Sequence, residues 1–109
     1  MTEADIYPLL AELAELRVYP YVAPSGTLAP WVVFILPSAV SEDVLCGQAE
    51  RATTLQVDVW AKSTDEARAI RDQARTALKS LNPVGLSERN DYEPETALYR
   101  ATLEVQVWS

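Results

Sequence analysis

The sequence predicts an α+β domain, a mainly antiparallel β-sheet with two helices packed on one face and a long β-hairpin arm. Apolar residues recur at helical spacing in two separate stretches. Three other stretches are β-branched and aromatic, either unbroken or alternating with polar residues. The resulting order is helix, strand, strand, helix, strand. A chain of 109 residues, 49% hydrophobic and 23% charged, has the size and composition of one globular core, residues 1–109.

In Thr2–Leu16 the residues Ile6, Leu9, Leu10, Leu13 and Leu16 fall on one helical face. Proline is tolerated in a first turn, so Pro8 puts the start at Ile6 with Asp5 as N-cap; a start at Thr2 needs a kink. Val18–Pro30 contains Pro20, Pro24, Gly26 and Pro30 and reads as an extended connection, with a turn at Pro24-Ser25-Gly26. Trp31–Leu36 is an uninterrupted apolar run of strand length that ends at Pro37.

Thr54–Trp60 alternates, with Leu55, Val57 and Val59 facing one way. Between these two strands, residues 38–53 form a polar hairpin arm with its tip near Gly47, weakly tied to the core. Ser63-Thr64-Asp65-Glu66 is a capping box, serine as N-cap and glutamate at the third helical position. Ala67, Ile70, Ala74, Ala77, Leu78 and Leu81 then make the apolar stripe of an amphipathic helix, which ends at Asn82-Pro83 and Gly85. The alanines let that helix lie close to a sheet. Its arginines Arg68, Arg71 and Arg75 are interleaved with acids, which suggests pairing along a solvated helix face.

Leu86–Ala97 reads as a polar connection, and Leu98–Trp108 as a strand with Tyr99, Ala101, Leu103, Val105 and Val107 inward. Thr54–Trp60 and Thr102–Trp108 agree at five of seven positions. Two half-buried strands of one sheet converge on such a pattern without duplication. On the opposite side of these strands lie Gln56, Asp58 and Trp60, and Arg100, Thr102, Glu104, Gln106 and Trp108. This polar face with two indoles has two readings. Either it meets another subunit, where tryptophan is enriched, or the helices and loops cover the indoles.

Composition removes several chemistries. With no histidine, serine and cysteine dyads that use an imidazole base cannot form, and the commonest metal ligand is missing. The single cysteine, Cys46, cannot form an internal disulfide, and its acidic neighbours Glu42, Asp43 and Glu50 do not favour a thiolate. The carboxylate pairs Asp91/Glu93 and Glu42/Asp43 are the candidate acid–base or hard-cation sites, and both read as solvated loop charge. The three glycines are too far apart for a phosphate loop. A net charge of −7 opposes nucleic-acid binding. No stretch approaches a membrane span and the first residues lack a basic targeting region, so a reducing cytoplasm with Cys46 free is expected. No cofactor and no metal is expected.

The chain resembles a bacteriophage family in Arg17-Val-Tyr19, Pro30-Trp-Val-Val-Phe34, Gln56-Val-Asp-Val-Trp-Ala61, the helix from Glu66-Ala-Arg-Ala-Ile70, Leu98-Tyr-Arg100 and Val105-Gln-Val-Trp108. It is similar to the tail completion proteins of long-tailed phages and prophages, which are akin to the lambda-type tail terminator. The likeness spans nearly the whole chain, and its specificity lies in the order and spacing of the motifs. It implies a non-enzymatic structural protein that caps the head-proximal end of the tail tube as a ring, usually a hexamer. Such a ring ends tube polymerisation and offers a surface to the head connector protein.

The partners so implied are further copies of the chain, the tail-tube protein and the head connector. The location implied is the virion tail, and the host bacterial cytoplasm during assembly. The resemblance also makes the arm an element that orders on assembly. Candidate interface residues are Trp60 and Trp108 on the sheet and Asp43, Glu50 and Arg51 in the arm. Six copies would carry about −42, six times −7, which lets DNA pass a lumen without sticking. Two alternatives are a neck or head–tail joining component, and a small adaptor that binds a peptide at an exposed sheet edge beside Trp31 or Trp108.

Overall fold

The structure, a computed structural model, describes the backbone of residues 2–41 and 51–108 and the side chains of residues 2–37 and 53–107. Five strands form one sheet: β1 (Val18–Pro20), β2 (Trp31–Ser41), β3 (Arg51–Ala61), β4 (Val84–Glu93) and β5 (Leu98–Trp108). The spatial order is β1-β2-β3-β5-β4. The pairs β2–β3, β3–β5 and β5–β4 are antiparallel, and only β1–β2 is parallel. Helices α1 (Glu3–Leu10) and α2 (Thr64–Ala77) cover one face, the α+β arrangement expected.

Alternation builds the core. Val32 and Phe34 of β2, Leu55, Val57 and Val59 of β3, and Ala101, Leu103, Val105 and Val107 of β5 point to the helices and are buried. From the helices, Ile6 and Leu10 of α1 and Ala67, Ile70 and Ala74 of α2 meet them, with Leu78 just beyond α2. Leu55 pairs with Val105 and Val57 with Leu103. The matching sequences of β3 and β5 thus lie side by side in neighbouring half-buried strands, where the same pattern is needed twice.

Several expectations are corrected. The first helix starts at Glu3, not Ile6, with Thr2 as N-cap; the Thr2 amide donates to the Asp5 carboxylate at 2.8 Å. That capping outweighs Pro8, which lies inside α1, and the helix ends two residues past it. It does not reach Leu16. Residues Leu13–Leu16 form a 3₁₀ turn in which Ala14, Glu15 and Leu16 take left-handed backbone angles, and this turns Leu16 out to solvent. Val18–Pro20 is a strand, not a bare connection. It sits at the sheet edge, where the missing Pro20 N–H costs no ladder bond. The turn at Pro24-Ser25-Gly26 forms as expected: the Thr27 amide donates to the Pro24 carbonyl at 3.1 Å, and Gly26 has a φ of +85°.

Pro37 does not stop β2. The register slips between Ile35 and Ser38, and the bulge absorbs the proline before pairing resumes as Ser38↔Thr54 through Ser41↔Arg51. The hairpin of β2 and β3 is therefore present. Its base is tied to the sheet more firmly than expected, because Ala52 and Thr53 also pair with Trp108 and Val107 of β5. The tip near Gly47, with Cys46 and the Glu42/Asp43 pair, lies outside the described residues.

Leu86–Ala97 is not simply a connection: strand β4 begins at Val84 and runs through the segment to Glu93. All but its last residue are exposed, because it is an edge strand, so it lacks the alternation that betrays a strand. Arg71 is the counterpart error. The helical period puts it on the solvated helix face, yet it is 7% exposed. Its guanidinium donates to the Arg89 carbonyl at 3.1 Å and to Asn90 Oδ1 at 2.9 Å, and lies 3.5 Å from Glu88. Arg75 reaches the same Glu88 at 2.9 Å as well as Asp72 one turn away. The helix arginines therefore hold the edge strand and do not pair only along their own helix. The N-cap holds as expected: Ser63 Oγ accepts from the Glu66 amide at 3.1 Å.

Candidate functional site

The face of the sheet away from the helices carries the concentration of polar and aromatic groups. On β3 the open-face residues are Gln56, Asp58 and Trp60; on β2 they are Trp31, Val33 and Ile35. Pairing places Trp31 opposite Trp60, and the rings stack at 6.0 Å with a 27° interplanar angle. The Arg100 guanidinium lies 5.2 Å from the Trp60 ring centroid, within cation–π range, while its Nη2 donates to Asp91 at 2.8 Å. Asp91 is therefore a partner of Arg100 and not half of a carboxylate pair. Among the described residues no cluster of acids suits a metal ion.

Asp58 forms the polar centre of this face. It is only 7% exposed, and Thr102 beside it on β5 is 1% exposed. The Thr102 hydroxyl donates to Asp58 Oδ1 at 2.8 Å, and the Gln56 amide donates to Oδ2 at 3.1 Å. None of the ion pairs among the described residues includes Asp58. The carboxylate opens into a cavity of about 280 Å³ walled by Trp31, Trp60, Ile35, Tyr21 and Val22. One signal for Asp58 was legible: an acid between two buried valines, with Gln56 and Thr102 on its own face.

Tyr21 and Val22 follow β1 and bring the connecting loop over this cavity. The Tyr21 amide donates to the Phe34 carbonyl at 2.9 Å, and its hydroxyl donates to Glu3 Oε2 at 2.5 Å. That hydroxyl holds the Glu3 carboxyl below the usual carboxylate range, and the same bond pushes the Tyr21 hydroxyl up.

The expected interface residues are not gathered in one place. Trp60 is half-buried at the end of β3 where Arg100 crosses. The backbone of Trp108 pairs with Ala52 at the other end of β3, roughly 26 Å away at the usual rise per residue. Arg51 pairs with Ser41 at the base of the arm, near Trp108 and far from Trp60. Asp43 and Glu50 lie outside the described residues. Trp60 is covered in part by Trp31 and Arg100 of the neighbouring strands, not by a helix, and it lines the cavity.

A family model described as Tail completion protein gp17 matches residues 5–109. The chain belongs to that family. Its role is thus that of a structural protein of the phage tail. No curated protein matches the sequence significantly. Among solved structures, the fold is similar to a chain in the virion of a native gene transfer agent particle. The TM-score is 0.56 at 17% identity, over 97% of this chain and 86% of the other. At that identity the likeness speaks for the fold.

Proposed function

We propose that this tail completion protein closes the head-proximal end of the tail tube as a ring, most simply a hexamer. The ring ends tube polymerisation and presents the surface that the head connector joins. The observation that carries this reading beyond family membership is the inequality of the two sheet edges. One edge is the three-residue parallel strand β1, and the other is the ten-residue antiparallel strand β4. Copies meeting through unlike edges make head-to-tail contacts, and such contacts close into rings when the rotation suits. Charged residues Glu88, Arg89, Asp91 and Glu93 along β4 guard that edge against indiscriminate pairing.

On this reading residues 1–109 act as one unit. The arm at residues 38–53, with Asp43, Glu50 and Arg51, contacts the next copy or the tube, and Trp60 and Trp108 mark two separate contact regions. The acid surplus supports passage of DNA through the lumen, since six copies total about −42. The protein works by assembly and without catalysis, in the host cytoplasm first and in the virion tail afterwards.

Light scattering of the purified chain, alone and mixed with tail-tube protein, tests this. The expected result is a hexamer, or capture at tube ends with tubes that stop growing. A chain that stays monomeric with tubes present and leaves their length unchanged overturns it.

A further inference from the structure

We propose that the cavity beside Trp31 and Trp60 is a receptor for one arginine or lysine side chain of a neighbouring virion protein, with Asp58 as its counter-ion. The inference rests on the assembly role above but not on ring closure. A carboxylate as buried as Asp58 is costly to desolvate, and such groups are normally paired with a cation or a metal. Here Thr102 and Gln56 satisfy it with neutral donors only. A carboxylate accepts more hydrogen bonds than these two residues supply, so capacity remains toward the cavity.

The walls suit the stem and head of a long basic side chain. Ile35 and Val22 offer apolar surface to the methylenes, and Trp31, Trp60 and Tyr21 offer aromatic rings. Arg100 against Trp60 shows that a guanidinium is accommodated on this indole, but Arg100 itself is committed to Asp91. The occupant is assigned to another protein because the uncompensated carboxylate and the surplus of acid, −7, complement a basic partner, while contacts between copies are assigned to the sheet edges and the arm. The cavity also lies at the end of the sheet away from the hairpin arm, so both ends of the sheet are available for contacts.

Blocked Ala-Arg-Ala, Ala-Lys-Ala and Ala-citrulline-Ala peptides, titrated into the protein and followed by NMR of the indole N–H signals, test the proposal. The basic peptides are expected to shift Trp31 and Trp60 while Trp108 stays still, with the neutral citrulline peptide at least about tenfold weaker. Asp58→Asn, which keeps an acceptor for Thr102, is expected to weaken the basic peptides by at least about the same factor. Val22→Lys changes an exposed residue and places a competing ammonium at the cavity mouth, so it is expected to block binding in a fully folded protein. Equal binding of arginine and citrulline peptides, or no indole shift at millimolar peptide, overturns the proposal. So does a concentration-dependent shift of the same indoles without peptide, which would assign the cavity to a second copy. None of these outcomes requires a ring, so failure here leaves the tube-capture test standing.

Discussion

Arg71 of α2 and Asn90 of β4 are joined by a 2.9 Å hydrogen bond that ties the amphipathic helix to the outermost strand of the sheet. The same guanidinium donates to the Arg89 carbonyl and neighbours Glu88. β4 buries almost none of its own side chains, so hydrophobic packing does little to hold it. Its place depends on the ladder to β5, on this clamp, and on the Tyr92–Tyr99 ring pair at 4.9 Å.

Removing the clamp has a defined cost. Arg71→Ala strands the Arg89 carbonyl and Asn90, and hydrogen bonds to charged groups are worth about 1.5–3 kcal/mol. Urea unfolding is expected to show a loss of about 2 kcal/mol, and amide exchange should accelerate first in β4. A loss below about 0.5 kcal/mol, the range of ordinary surface substitutions, would mean that the ladder alone holds the strand.

Phe34 tests the core independently. It is fully buried between the sheet and α1, and its ring lies 6.5 Å from that of Tyr7. Phe34→Ala should cost about 3–5 kcal/mol, through lost transfer energy and a residual cavity. Leu28→Ala, at an exposed position, should stay within about 0.5 kcal/mol. Thermal and chemical unfolding of the two variants measures both.

The Glu3–Tyr21 bond makes a prediction about pH. The Glu3 carboxyl titrates lower in the folded chain than in the unfolded one, so its contribution is full above the ordinary glutamate range and fades as pH falls through the lowered value. The Tyr21 hydroxyl titrates higher when folded, so its contribution is full below the ordinary tyrosine range and fades as pH rises through the raised value. The bond therefore acts between about pH 4 and about pH 10. Side-chain NMR titration of Tyr21→Phe should move Glu3 up toward the ordinary range, with the smaller lowering by its backbone hydrogen bond remaining. An unchanged Glu3 titration would show that this hydroxyl is not the cause.

The legibility of the chain followed burial. The strand Thr54–Trp60 and the apolar stripe of α2 were readable because one face of each is buried, and that imposes a period of two or of 3.6 on the residues. β1 and β4 were not. Three residues ending in proline and ten almost wholly exposed residues become strands only because a neighbour supplies the hydrogen bonds. Arg71 was misplaced for a related reason: helical periodicity gives its direction but cannot show that an edge strand folds down over it.

For the open face of the sheet, the alternation of β3 and β5 already set Gln56, Asp58 and Trp60 apart from the core, and with them Arg100 and Thr102. The missing histidine and the acid balance spoke against imidazole chemistry and nucleic-acid binding, but composition by itself named no role. Only the tertiary structure could decide that Asp58 is buried against Thr102 and that Trp31 stacks on Trp60. The tertiary structure likewise separates Trp108 from Trp60 by the length of a strand. Those relationships depend on the register between β2, β3 and β5, set by pairing between residues far apart in the chain. The local sequence contains the period of each strand but not its phase against a distant neighbour.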